Sequence, residues 1–169
     1  MKSHSFFSIL LSGLFLVTLA ACDPQPKETE VPYTELKHYF FRNDAELPSN
    51  PRIDTQERFD SLFGMARVMG AEGQPTRVDF ERQFVIAVVM PITNQQTELD
   101  DAHLYATHDL LGHSILRFKY SVHRDVDTLS YSMQPILLIA VDRQHDAERI
   151  DLCEVEDAVG QRDKWTMDN

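Results

Sequence analysis

His103-Leu104-Tyr105-Ala106-Thr107-His108-Asp109-Leu110-Leu111-Gly112-His113-Ser114-Ile115-Leu116-Arg117-Phe118-Lys119-Tyr120-Ser121-Val122 is the stretch that decides the fold. Leu104, Ala106, Leu116, Phe118, Tyr120 and Val122 are all even-numbered, which is the period of strands with one apolar face. A turn signal, Asp109-Leu110-Leu111 followed by Gly112, separates the two halves. A three-residue loop of Leu110, Leu111 and Gly112, with Gly112 in the left-handed conformation, pairs Asp109 with His113. It then sets Ala106 opposite Leu116 and Leu104 opposite Phe118, so every apolar residue stays on one face. A two-residue loop would pair odd with even positions and put half of the apolar set in water. The pattern therefore selects the first register.

Working outward, Phe84-Val85-Ile86-Ala87-Val88-Val89-Met90 and Ile136-Leu137-Leu138-Ile139-Ala140-Val141 are continuous apolar runs rich in β-branched residues. They read as strands buried on both sides, which need cover on both faces. A helix supplies one cover. Asp54 is an N-cap with Glu57 three residues on, and Phe59, Leu62, Phe63 and Ala66 follow at helical spacing, predicting a helix from Thr55 to Val68 that ends near Gly70. A second layer or sheet curvature must cover the other face. Arg124 to Thr128 reads as an antiparallel return into Leu129–Met133, with Pro135 a bulge or break; Arg149–Val155 adds a last strand and Tyr39–Phe41 an early one. The fold class expected is α+β, with one N-terminal helix packed on a strongly bent antiparallel sheet or partly open β-barrel.

The start of the chain is an address. Lys2 precedes an apolar run from Phe6 to Ala20, which ends in small residues at Leu19-Ala20-Ala21-Cys22. A membrane-spanning helix needs about 20 apolar residues, and this shorter run is interrupted by serines and a glycine and closes on Asp23-Pro24. Leu19-Ala20-Ala21-Cys22 resembles the lipobox of bacterial lipoproteins. The resemblance implies that the Cys22 thiol receives a diacylglyceryl group, that the chain is cut before it, and that the new amine is acylated. Several acyl chains at about 0.8 kcal/mol per buried methylene anchor a protein stably. Residues 1–21 are then a lipoprotein signal peptide, and residues 22–36, polar and proline-rich, a lipidated cysteine with a flexible tether. At about 3.3 Å per residue that tether reaches roughly 45 Å. Residues 37–155 form a single α+β domain and 156–169 a polar tail. The expected location is the cell envelope, on the periplasmic or surface side of a membrane.

Composition excludes several partners. The chain carries a net charge of −11, and removal of residues 1–21 takes away Lys2 and no carboxylate, leaving it more acidic still. Nucleic acids bind clustered Lys and Arg, whereas here basic residues stand singly among carboxylates. Anionic headgroups repel such a body, so the acyl chains alone are expected to hold it to the membrane. With Cys22 taken by lipid, Cys153 is the one remaining thiol, read as a small half-buried hydrophobe, and an internal disulfide is impossible.

No catalytic, cofactor or metal motif stands out. His103, His108, His113 and His123 fall in one region, yet the hairpin register places them apart and on different faces, so a metal site is not expected. Glu98, Asp100 and Asp101, and again Asp125 and Asp127, lack the spacing of a calcium loop and read as solvated charge. Ser114 beside His113 and Asp109 is no triad, because neighbouring strand residues point to opposite faces. Met90 to Thr97 leaves a buried strand as an uncharged, amide-rich segment read as a loop, and Thr93, Asn94, Gln95 and Gln96 are the candidate partner-binding residues.

The order of features, from the capped helix through Val78-Asp79-Phe80-Glu81 and Phe84-Val85-Ile86 to the hairpin and Pro135-Ile136-Leu137-Leu138, resembles small envelope lipoproteins of Bacteroidetes. It is also similar to the small β domain of the bacterial protease-complex subunit PrcB. That domain carries a Thr-Gly-Gly-Tyr-like loop where this chain has Thr93-Asn94-Gln95-Gln96. The expectation is a monomeric, noncatalytic envelope lipoprotein without cofactor, acting as a binding module for an envelope protein or extracellular ligand. A protease modulator or inhibitor, a structural component of an envelope assembly, and a hydrolase with an unrecognised site are the alternatives.

Overall fold

The computed structural model describes residues 27–66 and 73–155; the signal segment, Cys22 and the tail 156–169 lie outside the described residues. In chain order the elements are β1 (Thr29–Glu30), β2 (Tyr33–Glu35), β3 (Tyr39–Phe41), β4 (Arg52–Ile53), α1 (Gln56–Leu62), β5 (Phe63–Met65), β6 (Gln83–Val89), β7 (Thr93–His108), β8 (Ser114–Met133), β9 (Ile136–Asp142) and β10 (Arg149–Val155). Strand accounts for 57% and helix for 8% of these residues, so the class is mostly β and the expected α+β assignment is corrected. No barrel closes, and one bent sheet is replaced by separate sheets ordered β1-β7-β8-β10, β2-β9-β6-β4 and β3-β5.

Alternation along β6 and β9 explains the layering. Phe84, Ile86 and Val88 of β6 and Leu137, Ile139 and Val141 of β9 face Leu104, Leu116, Phe118 and Tyr120 of the β7–β8 hairpin, forming a core between the two four-stranded sheets. The intervening Val85, Ala87, Leu138 and Ala140 face the opposite way, onto Phe59 and Leu62 of α1 and Phe41 and Phe63 of the small sheet. Two faces with two covers is what the continuous apolar runs require. Each fully buried large side chain contributes roughly 1.5–3 kcal/mol, so these two cores dominate the stability.

The hairpin has the register read from its pattern: Ala106 pairs with Leu116 and Leu104 with Phe118. Gly112 has φ 90°, and the Asp109 N–H donates to the His113 carbonyl at 3.0 Å. Beyond it, the expected return at Arg124–Thr128 does not occur. β8 runs unbroken to Met133 against β7, its surplus residues taken up by register shifts between Thr93, Gln95 and Thr97. The β7–β8 ribbon bends into the β6–β9 pair at Pro135, whose carbonyl accepts from Met90 N–H at 2.9 Å. β10 adds to β8 in parallel, Leu152 opposite Phe118.

The helix is shorter than its apolar spacing predicts. Thr55, not Asp54, caps it, accepting from Arg58 N–H at 3.2 Å, because the Asp54 carboxylate is held by Arg52 and Arg143. At Phe63 the chain becomes extended (φ −122°, ψ 140°), since Phe63 pairs with Phe41 in β3–β5 and packs on Phe59 at 5.1 Å between ring centroids. Gly64 permits that pairing: a Cβ there would lie 2.3 Å from the Phe40 ring.

The expected tether is corrected over its described part. β1 pairs with β7 and β2 with β9, so residues 29–35 join both large sheets. Val31 and Leu36 are 2% and 6% exposed and Tyr33 packs edge-on against Phe118, which gives this proline-containing segment a buried side that holds it down. Pro32 sits at the crossing between sheets, where its missing N–H costs no ladder hydrogen bond.

Candidate functional site

Thr93, Asn94, Gln95 and Gln96 belong to strand β7, which corrects the loop reading. They stay extended because β8 continues alongside, with Thr93 opposite Met133 and Gln95 opposite Thr128. The Thr93 Oγ1 accepts from Gln95 N–H and the buried Thr97 hydroxyl donates to the Gln95 carbonyl, each at 3.1 Å. These local bonds absorb the irregular register. Asn94 and Gln96 are exposed while Thr93 and Gln95 are half-buried, so two carboxamides project side by side from one face. On its outer edge β7 meets β1 only at Tyr105 and Ala106; from Thr93 to His103 no other strand among the described residues pairs with that edge.

A second grouping lies at the bulge between Asp100 and His103, where Asp101 adopts φ 45°. Asp100, Asp101 and His123 there bring one ligand atom each to within 4.8 Å of one another. His123 Nε2 stands 2.9 Å from Asp100 Oδ1. This is the group among the described residues that could take a cation, and His123 and Asp100 equally form a surface ion pair. Sequence reasoning set His123 among the histidines and the aspartates among the carboxylates. The pairing of Asp100 with Ser121 is the long-range fact that joins them.

The other histidines remain apart. His103 lies opposite Lys119 and 3.4 Å from Glu30, and His108 is exposed. His113 Nδ1 meets Asp109 Oδ2 at 2.9 Å, so this part of the apparent triad forms. The carboxylate raises the His113 pKa, and the His113 ring with two backbone N–H groups lowers that of Asp109 to about 2. Ser114 Oγ instead accepts from Glu148 N–H at 3.2 Å. Cys153 is half-buried on β10 opposite Lys119.

Two hollows bear on chemistry. A groove of about 280 Å³ is lined by apolar residues including Leu47, Pro51, Met90, Tyr120 and Leu152, where burial raises the Tyr120 pKa. A charged cleft of about 240 Å³ is lined by Asp79, Arg82, Gln83 and Asp142. Neither joins a nucleophile to a base. Strong ion pairing is used structurally: Arg52 and Arg143 hold Asp54, Arg52 also holds Asp146, and the Arg52 guanidinium lies 4.2 Å over the Phe84 ring. Comparison with protein-family models, curated proteins and solved structures finds no match to this chain.

Proposed function

We propose that this chain is a lipid-anchored envelope protein and a noncatalytic binding module, which takes a protein or extracellular ligand along the outer edge of β7 at Thr93–Gln96. The observation that carries the reading is that edge: backbone without a strand partner among the described residues, beside the exposed carboxamides of Asn94 and Gln96. An extended segment can add to such an edge through main-chain hydrogen bonds, with side-chain amides selecting its sequence. The surrounding acidic surface disfavours nonspecific contact. Register shifts between Thr93 and Gln95 and between Gln95 and Thr97 twist this part of the edge, which guards it against flat pairing with copies of itself. The anchor rests on Leu19-Ala20-Ala21-Cys22; no helix among the described residues is long and apolar enough to cross a membrane.

A photo-crosslinking residue at Asn94, in the full chain made by its own cells, should give one discrete adduct. Changing Thr93, Gln95 and Gln96 to Ala in the same chain should abolish it. An adduct that survives those changes removes the β7 edge from consideration. For the anchor, Cys22→Ala should leave the precursor uncleaved and absent from the detergent phase, and an unchanged membrane fraction refutes it.

A further inference from the structure

The turn between β7 and β8 carries two adjacent leucines with no structural task. Leu110 is 100% and Leu111 83% exposed. The turn is built by its neighbours: Asp109 Oδ1 accepts from Leu111 N–H at 2.8 Å and from His113 N–H at 2.9 Å, and Gly112 supplies the positive φ. Turn positions of this kind favour polar residues. Two neighbouring leucines held fully in water at the end of a rigid hairpin call for an apolar partner.

The path of the N-terminal segment says where to look for it. β1 is antiparallel to β7, Thr29 opposite Ala106 and Glu30 opposite Tyr105, so the chain traced backward from Thr29 heads along β7 toward the Leu110 turn. Glu28 is pinned on that path, its carboxylate accepting from Arg117 Nη1 and Lys119 Nζ at 2.7 Å each. Two residues of strand and the first turn residues, at most about 13 Å of chain, separate Ala106 from Leu110. Seven residues separate Thr29 from Cys22, a span of at most roughly 23 Å. A bilayer holding the acyl chains of Cys22 then lies within that distance of β1, a reach that takes in the turn where the leucines project.

We propose that Leu110 and Leu111 enter the bilayer beside the acylated Cys22, giving the domain a second membrane contact and a fixed orientation. The inference rests on the acylation reading above and amends the expectation that acyl chains alone make the attachment. Asp109, the carboxylate within the turn, is matched by the His113 ring at 2.9 Å and by two backbone N–H groups, so the tip does not present an uncompensated anion to headgroups. The orientation also directs the opposite end of the ribbon, with Thr93–Gln96, away from the lipid.

The test uses the full acylated chain, carrying Cys153→Ser, reconstituted in phosphatidylcholine vesicles. A polarity-sensitive fluorophore is placed by Leu111→Cys, or, as a reference, by Val126→Cys, a residue 97% exposed in β8 far from the turn. The label at 111 should shift its emission to the blue and lose intensity when spin-labelled lipids are included; the label at 126 should do neither. Leu110→Ser should reduce both changes at 111, which separates the protein's own contact from the label's. Acylation is read independently from the mass of the N-terminal peptide. An acylated chain whose 111 label stays as wet as the 126 label overturns the inference and leaves the anchor standing. A chain without acyl groups overturns the anchor reading and this inference with it.

Discussion

Val31→Ala tests whether the segment after Cys22 is tether or fold. Val31 is 2% exposed, its N–H donates to the Leu104 carbonyl at 2.8 Å, and its side chain sits in the core between the two large sheets. Two methyl groups are lost, about 1.6 kcal/mol of transfer free energy at about 0.8 per buried carbon. The flanking strands are pinned to different sheets and cannot close the gap, so a cavity cost is added, and about 2 to 3 kcal/mol is expected in all. Thr34→Ala, at an exposed position of β2, should change stability by less than about 0.5 kcal/mol. Urea unfolding of the non-acylated chain from residue 23, followed by circular dichroism, reads both, with a shifted midpoint and an unchanged slope. A chain beginning at residue 37 loses β1 and β2 and should no longer unfold cooperatively. If Val31→Ala is as silent as Thr34→Ala and the chain from 37 unfolds like the longer one, the docking of residues 27–36 is refuted.

Phe118→Ala, which empties a site that is 0% exposed, should cost roughly 3 to 5 kcal/mol, whereas His103→Ala on the outer face should cost little; equal small losses by the same assay would show the hairpin register to be wrong. Gly112→Ala meets no atom within 4 Å, so its cost is backbone alone at φ 90°, on the order of 1 to 2 kcal/mol, and a neutral result in thermal unfolding would contradict the positive-φ turn. Glu28 is held below its ordinary 4.5 chiefly by Lys119, and Asp54 and Asp146 below 3.8 chiefly by Arg52. Depressed carboxylates stabilise the fold above their unfolded pKa and lose that contribution as pH falls through the folded value, so the urea midpoint should fall as pH drops below about 4.5; a midpoint that rises below that pH would contradict these pairings.

What could be read from the chain follows the range of the forces involved. The β6 and β9 runs and the hairpin register are set by patterns within a few residues and are where the sequence puts them, while α1 starts one residue later than expected because Asp54 is drawn off by Arg52 and Arg143. The end of α1 departs further, because Phe63 has the spacing of a helical apolar position and its pairing with Phe41, more than twenty residues earlier, decides the matter. β1 and β2 are too short for any period to show, and they exist through partners in β7 and β9. Thr93–Gln96 looks like a loop by composition, since an edge strand facing water has no need of apolar residues. Asp100, Asp101 and His123 meet only because a bulge at Asp101 re-aims a carboxylate, a backbone event that leaves no mark in a single sequence.

The docking of β2 on β9 also sets an order of events. Tyr33 pairs with Val141 and Glu35 with Ile139, so one of the earliest segments of the domain to be made is completed by one of the last. Contacts of such sequence separation form slowly, after the local hairpin and helix. A chain emerging N-terminus first can dock β1 on β7 early, but holds Tyr33–Glu35 unpaired until β9 has been made. Until then Leu36, whose N–H donates to the Leu138 carbonyl, lacks its partner, and the seam between the first strands and the body is the last to close.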